Sequence, residues 1–326
     1  MPTIYDVARR ARVSTYTVSA VLNRSAYVSP ELTERVHAAV RELDYTINEL
    51  ARSLHTRKTR TAGMLIPDIA NPFYAKVVRG VEDVLKQSGY SLILGNTYND
   101  AAEQTRYLAV FRAKQVDGLL LFVAAGAEEE LQPLVAAQKP IVFVGRTPSQ
   151  TKADSVSADN LFGTRIAIEH LIAKNHKTIA LLPGETLVST GADRVAGWRS
   201  ALEDASLPAP THLIGACKWS AESGLEATRE LLSRKPRPTA IFAANFLLLT
   251  GALRAIQEAD LRVPKDIEVM SSDDSEWLDV FTPRISTVAQ PSYEMGSQAA
   301  MLLLKRIKTP ARRYAKIVLP PQLRIR

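Results

Sequence analysis

Thr15, Tyr16, Ser19 and Ala20 place hydroxyls, a phenol and a methyl group close together, a set that can touch base edges if one helix face presents it. The surrounding pattern supplies that helix. Ile4, Val7, Ala8 and Ala11 recur at the spacing of one helical face, and Val18, Val21 and Leu22 form a second apolar face further on. Two stripes imply two helices packed on each other. Ser14 stands as the N-cap of the second, so Thr15, Tyr16, Ser19 and Ala20 are expected to point away from the packing face. Two short helices joined by a tight turn between Ile4 and Asn23 have the form of a helix-turn-helix, whose second helix enters the DNA major groove.

The elements that must hold this pair follow directly. Ser29-Pro30 supplies an N-cap and a first-turn proline, and Leu32, Val36, Ala39, Val40 and Leu43 make the stripe of a third helix ending near Tyr45. Three such helices can close a small core. Asn48 then caps a stretch running to Leu54, too brief to be stable as a helix by itself.

Other chemistries are poorly represented. No G-x-G pair occurs among the 15 glycines, and there is neither a G-x-x-x-x-G-K phosphate loop nor a G-x-S-x-G nucleophile elbow. His170 and His176 lie too far apart to share a helix face as metal ligands, and Glu128-Glu129-Glu130 reads as a solvated helix start favoured by the helix dipole. Asp273-Asp274 is a conceivable acid/base pair, but adjacent side chains point apart, and recognition of a hydroxyl-rich ligand is the better use of them. No catalytic residue, metal site or cofactor is expected.

With 326 residues, 46% of them hydrophobic, the chain is long enough for two or three domains and a substantial core. Its formal charge of +7 is unevenly spread: residues 1–60 carry 10 Lys and Arg against 6 Asp and Glu, or +4, and the remainder carries 31 against 28, or +3. Cationic side chains near phosphates release condensed counterions, so this bias favours salt-sensitive binding to DNA. Cys217 is the only cysteine, which excludes an intrachain disulfide and argues against a disulfide-stapled secreted domain; it is expected to be a buried or partly buried small residue. The N-terminus has no basic segment followed by an apolar run, and no apolar stretch is long enough to span a bilayer, so a cytoplasmic, nucleoid-associated protein without membrane contact is expected.

From Thr61 onward, short apolar runs alternate with helical patterns: strands at 62–67, 90–94, 118–123 and 141–144 between helices at 72–87, 101–113 and 129–137. A second series holds helices at 160–174, 192–205 and 220–233 with strands at 178–182 and 240–243. Continuous apolar runs separated by helices mark parallel strands buried on both faces, and their number exceeds one ordinary sheet. The fold class is therefore α/β, an all-α headpiece followed by a two-lobed body of doubly wound parallel sheets. Ligands of such sheets bind beyond the carboxyl ends of the strands, so facing lobes enclose one cleft.

The run Tyr5-Asp6-Val7-Ala8, Val13-Ser14, Thr17-Val18-Ser19, Val21-Leu22-Asn23, Val28-Ser29, Asn48 and Ala51-Arg52-Ser53-Leu54 resembles the headpiece of the lactose-repressor (LacI/GalR) family of bacterial transcription regulators. The resemblance continues through Ile66-Pro67, Asn71-Pro72-Phe73-Tyr74, Gly80, Asp117-Gly118, Arg194, Gly197, Asp273, Pro283, Thr287-Val288 and Gln290-Pro291. It implies a helix-turn-helix headpiece over residues 1–58 with a hinge helix at 48–56. It also implies a periplasmic-binding-protein-like body over 60–326, with one lobe at about 60–159 plus 291–319 and the other at about 160–290 plus 320–326. Thr15, Tyr16 and Ala20 fall at base-reading positions, and Thr3, Tyr5, Ser14, Thr17, Asn23, Asn48 and Arg52 belong with them at the DNA. Leu54 matches a leucine that wedges into the minor groove.

Ala20 departs from the long polar residue common at its position and cannot make a bidentate guanine contact. Arg12 replaces the small turn residue, with strain of roughly 1–2 kcal/mol if its backbone is left-handed, which a phosphate contact would offset. Ile47 stands where a proline is often found. In the cleft, the resemblance assigns ligand contacts to Phe73, Tyr74, Arg146, Asn160, Thr190, Arg194, Trp219, Phe246 and Asp273. Arginines with an aspartate and aromatic rings suit a sugar, and two arginines suit a sugar acid; Phe246 departs from a common acidic residue and removes one hydroxyl acceptor. The expected protein is a homodimeric regulator, most simply a repressor, that binds a palindromic operator in double-stranded DNA under control of a small-molecule effector. The alternatives are a two-lobed solute-binding protein without DNA function and an enzyme using the same cleft.

Overall fold

The computed structural model describes residues 2–23, 25–45, 58–148 and 151–326. The chain divides into two compact units, Met1–Thr59 and Arg60–Arg326.

In the first unit, α1 (Ile4–Ala11) starts from a reciprocal cap: Thr3 Oγ1 accepts from the Asp6 amide at 3.4 Å, and Asp6 Oδ2 accepts from the Thr3 amide at 2.9 Å. The helix ends because Arg12 is left-handed, with φ 52° and ψ 50°. Arg35 steadies that turn, donating from Nη2 to the Ala11 carbonyl at 2.6 Å and the Arg12 carbonyl at 3.2 Å. The Ser14 Oγ then accepts from the Thr17 amide at 3.1 Å and opens α2 (Thr15–Asn23). Ser29 caps α3 (Pro30–Glu42), which stops short of Tyr45 because Leu43 ends the helix and Asp44 turns the chain at φ 47°. Val7, Ala8, Ala11, Val18, Val21, Val36 and Ala39 form the shared core. The expected hinge segment, with Asn48, Arg52 and Leu54, lies outside the described residues.

The second unit begins with β1 (Thr61–Ile66), α4 (Pro72–Gln87), β2 (Ser91–Asn96), α5 (Ala101–Ala113) and β3 (Gly118–Leu121). A 3-10 turn leads into α6 (Gln132–Ala136), β4 (Ile141–Val144) and β5 (Asp154–Ala158). The chain continues through α7 (Asn160–Ala173), β6 (Ile179–Leu182), α8 (Ser189–Asp204), α9 (Ala221–Ser233), β7 (Ala240–Ala243) and α10 (Phe246–Glu258). It closes with β8 (Glu268–Ser271), α11 (Trp277–Val280), β9 (Ser286–Ala289), α12 (Ser292–Lys308), β10 (Lys316–Leu319) and β11 (Gln322–Arg324).

These strands form a six-stranded sheet in the order β10-β5-β4-β3-β1-β2 and a five-stranded sheet in the order β11-β9-β8-β7-β6. The first is parallel throughout. Strands β3, β4, β6 and β7 are buried along their whole length, which is why they read as unbroken apolar runs; β8, equally buried, starts at Glu268 and ends at Ser271 and is not among the strands expected from the sequence. Apolar clusters cover both faces of each sheet. The chain passes between lobes after β5, after β9 and between β10 and β11. Strand β11 departs from the parallel expectation and pairs antiparallel with β9. Only Pro320 and Pro321 separate it from β10, leaving no room for the crossover a parallel partner needs.

Candidate functional site

In the headpiece, Tyr16 is 73% exposed and Tyr5 69% exposed, so both rings stand in solvent. Ser14 and Asn23 are also exposed, with Thr15 and Thr17 half-buried. Thr3 is held in the α1 cap, its hydroxyl 2.7 Å from Asp6 Oδ2. Asn23 donates to the Ser19 carbonyl at 2.9 Å, which firms the end of α2. Ala20 corrects the sequence expectation: it is only 2% exposed. The exposed surface of α2 centres on Tyr16 and not on Ala20.

In the second unit, a cavity of about 40 Å³ lies between the lobes. It brings together Phe73, Tyr74, Arg146, Asn160, Thr190, Arg194, Trp219 and Asp273. All but Arg194, which lies in the second turn of α8, stand on a loop or at a helix start, where an open α/β sheet presents its binding groups. Phe73 and Tyr74 lie in the first turn of α4 and meet edge to face, ring centres 5.1 Å apart; Tyr74 meets Phe122 the same way at 5.0 Å. Burial pushes the Tyr74 phenol up to about 12, so it remains a neutral hydroxyl.

Two guanidinium groups approach one indole: Arg146 lies 5.4 Å and Arg194 5.3 Å from the Trp219 ring. Gly184 seats that ring, because a Cβ there would come within 2.3 Å of it and the backbone has φ 78°. Asp273 faces them, its Oδ1 accepting from Gln290 Nε2 at 2.8 Å and its Oδ2 from the Phe246 amide at 3.3 Å. Burial raises the Asp273 carboxyl above the ordinary carboxylate range, and Arg194 works against that rise. Three buried donors, Arg194 Nε and Nη1 and Trp219 Nε1, have no hydrogen-bond partner among the described residues. The cavity thus has strong donors on one side and a carboxylate on the other.

Phe246 is a second correction. Its ring lines a separate groove with Trp277 and Phe281 instead of the cleft. Asn245 occupies the N-cap, so Phe246 is the first residue of α10, and only its backbone amide faces Asp273. The polar wall there belongs to Asn245, with Asn71 and Gln290 elsewhere in the cleft, all three missed as site residues. The signal was the N-cap: Asn71 Oδ1 accepts from the Phe73 amide at 3.0 Å and Asn245 Oδ1 from the Leu248 amide at 2.8 Å, leaving each NH2 for the cavity side.

Asp274 turns away from Asp273, accepting from Arg324 and Arg326 at 2.7 Å each, so the adjacent carboxylates do not form an acid/base pair. Burial pushes the Cys217 thiol up to about 11, so it is no thiolate nucleophile.

A capped helix-turn-helix in one unit and a donor-rich interlobe cleft in the other define a ligand-responsive DNA-binding regulator. The chain belongs to the lacI family of bacterial regulatory proteins, whose model matches residues 3–48; residues 168–326 match a periplasmic binding protein-like domain. It is 36% identical over 321 residues to the ribose operon repressor of Haemophilus influenzae, covering 98% of this chain and 96% of that protein. It is 37% identical over 326 residues to the transcriptional repressor PurR of Escherichia coli, covering 99% of this chain and 95% of that protein. Among solved structures, the lac repressor dimer bound to operator and the anti-inducer ONPF aligns over 100% of this chain and 98% of that one, at 29% identity and a TM-score of 0.87. The protein is a DNA-binding transcriptional repressor with an effector-binding body.

Proposed function

We propose that the protein binds a palindromic operator in the cytoplasm as a homodimer, and that a small sugar or sugar acid held between the lobes sets its operator affinity. The observation that carries the effector class is the trio of unpaired buried donors on Arg194 and Trp219 opposite Asp273. Each such donor left unsatisfied costs about 1–3 kcal/mol, and ring or carboxylate oxygens remove that cost, while sugar hydroxyls donate to Asp273. Ribose operon repressors among the relatives make D-ribose the first probe; two guanidiniums against one carboxylate make D-gluconate the second. A thermal-shift screen of monosaccharides and aldonic acids tests the class. At least one is expected to raise the melting temperature by several degrees, and a screen in which none does contradicts the reading.

The titration of Asp273 gives that affinity a sign. Its raised carboxyl takes up a proton at higher pH than an exposed one and then no longer accepts from every direction. Affinity for a neutral sugar such as D-ribose is therefore expected to fall as the pH is lowered, starting above the range in which an exposed carboxylate takes up its proton. Calorimetric titration checks this; a flat profile removes the ionised Asp273 from the contact set.

Tyr5, Thr15, Tyr16, Thr17 and Asn23 are proposed to meet DNA, with Thr3 and Ser14 holding the helix starts. Asn48, Arg52 and Leu54 are proposed as hinge contacts on the resemblance alone. For the homodimer, support comes from the groove of about 770 Å³ that Phe246 shares with Trp277 and Phe281, where Trp277 is 71% exposed. Aromatic side chains such as Trp277 and Phe281 are enriched at protein interfaces, and a two-headed grip on a palindrome requires a second copy. Trp277→Asp is expected to yield monomers in analytical ultracentrifugation and at least tenfold weaker operator binding, about 1.4 kcal/mol. An intact dimer removes this groove from the interface.

A further inference from the structure

We infer that Asn99 is a positioning residue that fixes the cavity-facing edge of Arg146 and ties the two lobes together through Glu185. Asn99 follows β2 and Arg146 follows β4, both in the first lobe, whereas Glu185 follows β6 in the second. Asn99 Nδ2 donates to Glu185 Oε2 at 2.7 Å, and Asn99 Oδ1 accepts from Arg146 Nη1. Only one amide orientation satisfies both neighbours, since the guanidinium needs an acceptor and the carboxylate a donor. Asn99 is thus a neutral relay between a cation and an anion on opposing lobes.

The relay decides which part of Arg146 is available. Nη1 also donates to the Val123 carbonyl at 3.0 Å, so both of its hydrogens are taken by protein oxygens. The Nε and Nη2 edge is left as the one that can serve a ligand. In the loop holding Asn99, Tyr98 and Asn99 are successive left-handed residues with φ 51° and 59°. The Thr97 amide is bonded to Ile66 at 2.9 Å, and Asp100 caps α5 by accepting from the Glu103 amide at 2.9 Å. On the far side, Glu185 adjoins Gly184, which seats Trp219, so the bond ends on the loop beneath that ring. It is shorter than the cross-lobe bonds from Lys76 Nζ to the Asp274 carbonyl at 3.3 Å and from the Thr147 amide to Ser189 Oγ at 3.4 Å.

The inference rests on Arg146 as a ligand contact, and its test keeps the two apart. Asn99→Asp retains an acceptor for Arg146 but sets a carboxylate against Glu185. Adding Glu185→Gln supplies a donor again. In the ligand-free full-length protein, hydrogen exchange at 97–100 and 184–190 is expected to quicken by about tenfold in the single variant and to return towards the parent in the double variant. No change in the single variant overturns the latch. So does a double variant that exchanges as fast as the single one, which would mark a local loop effect. With D-ribose or D-gluconate, whichever stabilises the parent, affinity is expected to fall about tenfold and recover in the same order. If restored exchange is accompanied by affinity that none of the changes alters, the latch stands and Arg146 is not a ligand contact.

Discussion

Arg194→Ala is expected to weaken binding of a stabilising sugar by a hundredfold or more, about 2.7 kcal/mol, and to abolish its effect on operator binding while leaving ligand-free operator affinity intact. The asymmetry comes from the state of the side chain. In the ligand-free cleft, Arg194 is buried with Nε and Nη1 unpaired, so its removal forfeits few protein contacts. With a ligand in the cleft, the same two donors are proposed to make charge-assisted bonds, worth roughly 1.5–3 kcal/mol each. Burial already lowers the pKa of Arg194, with Asp273 working the other way, so alanine also strips Asp273 of its nearest cation and raises that carboxyl further. The variant should therefore fold normally and bind sugar poorly. Calorimetry and operator release measured side by side decide it; a full sugar response in the variant contradicts the assignment.

Gly296→Ala is expected to destabilise the body by about 3 kcal/mol, the upper end for an overpacked core. Helices α4 and α12 cross with their backbones in contact: a Cβ on Gly296 would lie 2.0 Å from the Val77 carbonyl oxygen, and one on Gly80 would lie 2.1 Å from the Tyr293 carbonyl oxygen. Backbone atoms cannot rotate aside, so the helices must separate. The sign is diagnostic, because alanine for glycine inside an unobstructed helix stabilises by about 1 kcal/mol. For a domain of this size the loss corresponds to a fall of roughly 6–12 °C in melting temperature. The crossing also matters for function, since α4 begins with the cavity residues Phe73 and Tyr74 and α12 follows Gln290. Calorimetric melting checks the expectation, and an unchanged or raised melting temperature contradicts it.

The sheet strands were legible because parallel strands buried on both faces must be apolar throughout, as Leu119, Leu120 and Leu121 or Ile141, Val142 and Phe143 are. Helix starts were equally plain wherever a side chain performs the cap, as at Ser14 and Ser29. Where one residue has two tasks, the sequence conceals the second. Asn71 and Asn245 cap helices in the structure, and nothing local in the sequence says that their amide groups also face a cavity. Phe246 shows the converse: one residue past a cap, the side chain leaves the cleft, and a correspondence by position alone cannot register that turn. Ala20 was placed on the exposed face of α2 by its position relative to the apolar stripe, yet it is 2% exposed. The antiparallel β11 was hidden because its direction is set by the brevity of the Pro320-Pro321 link, not by its own residues.

The central claim is that a small molecule between the lobes changes how tightly the headpieces hold DNA. An operator selected from a random palindromic library, titrated with full-length protein by fluorescence anisotropy with and without a saturating amount of the sugar that stabilises it, tests this most directly. The expected result is salt-sensitive binding whose midpoint moves at least tenfold, about 1.4 kcal/mol, when sugar is added, and does not move in Arg194→Ala. Superimposable titrations with and without sugar would contradict the claim.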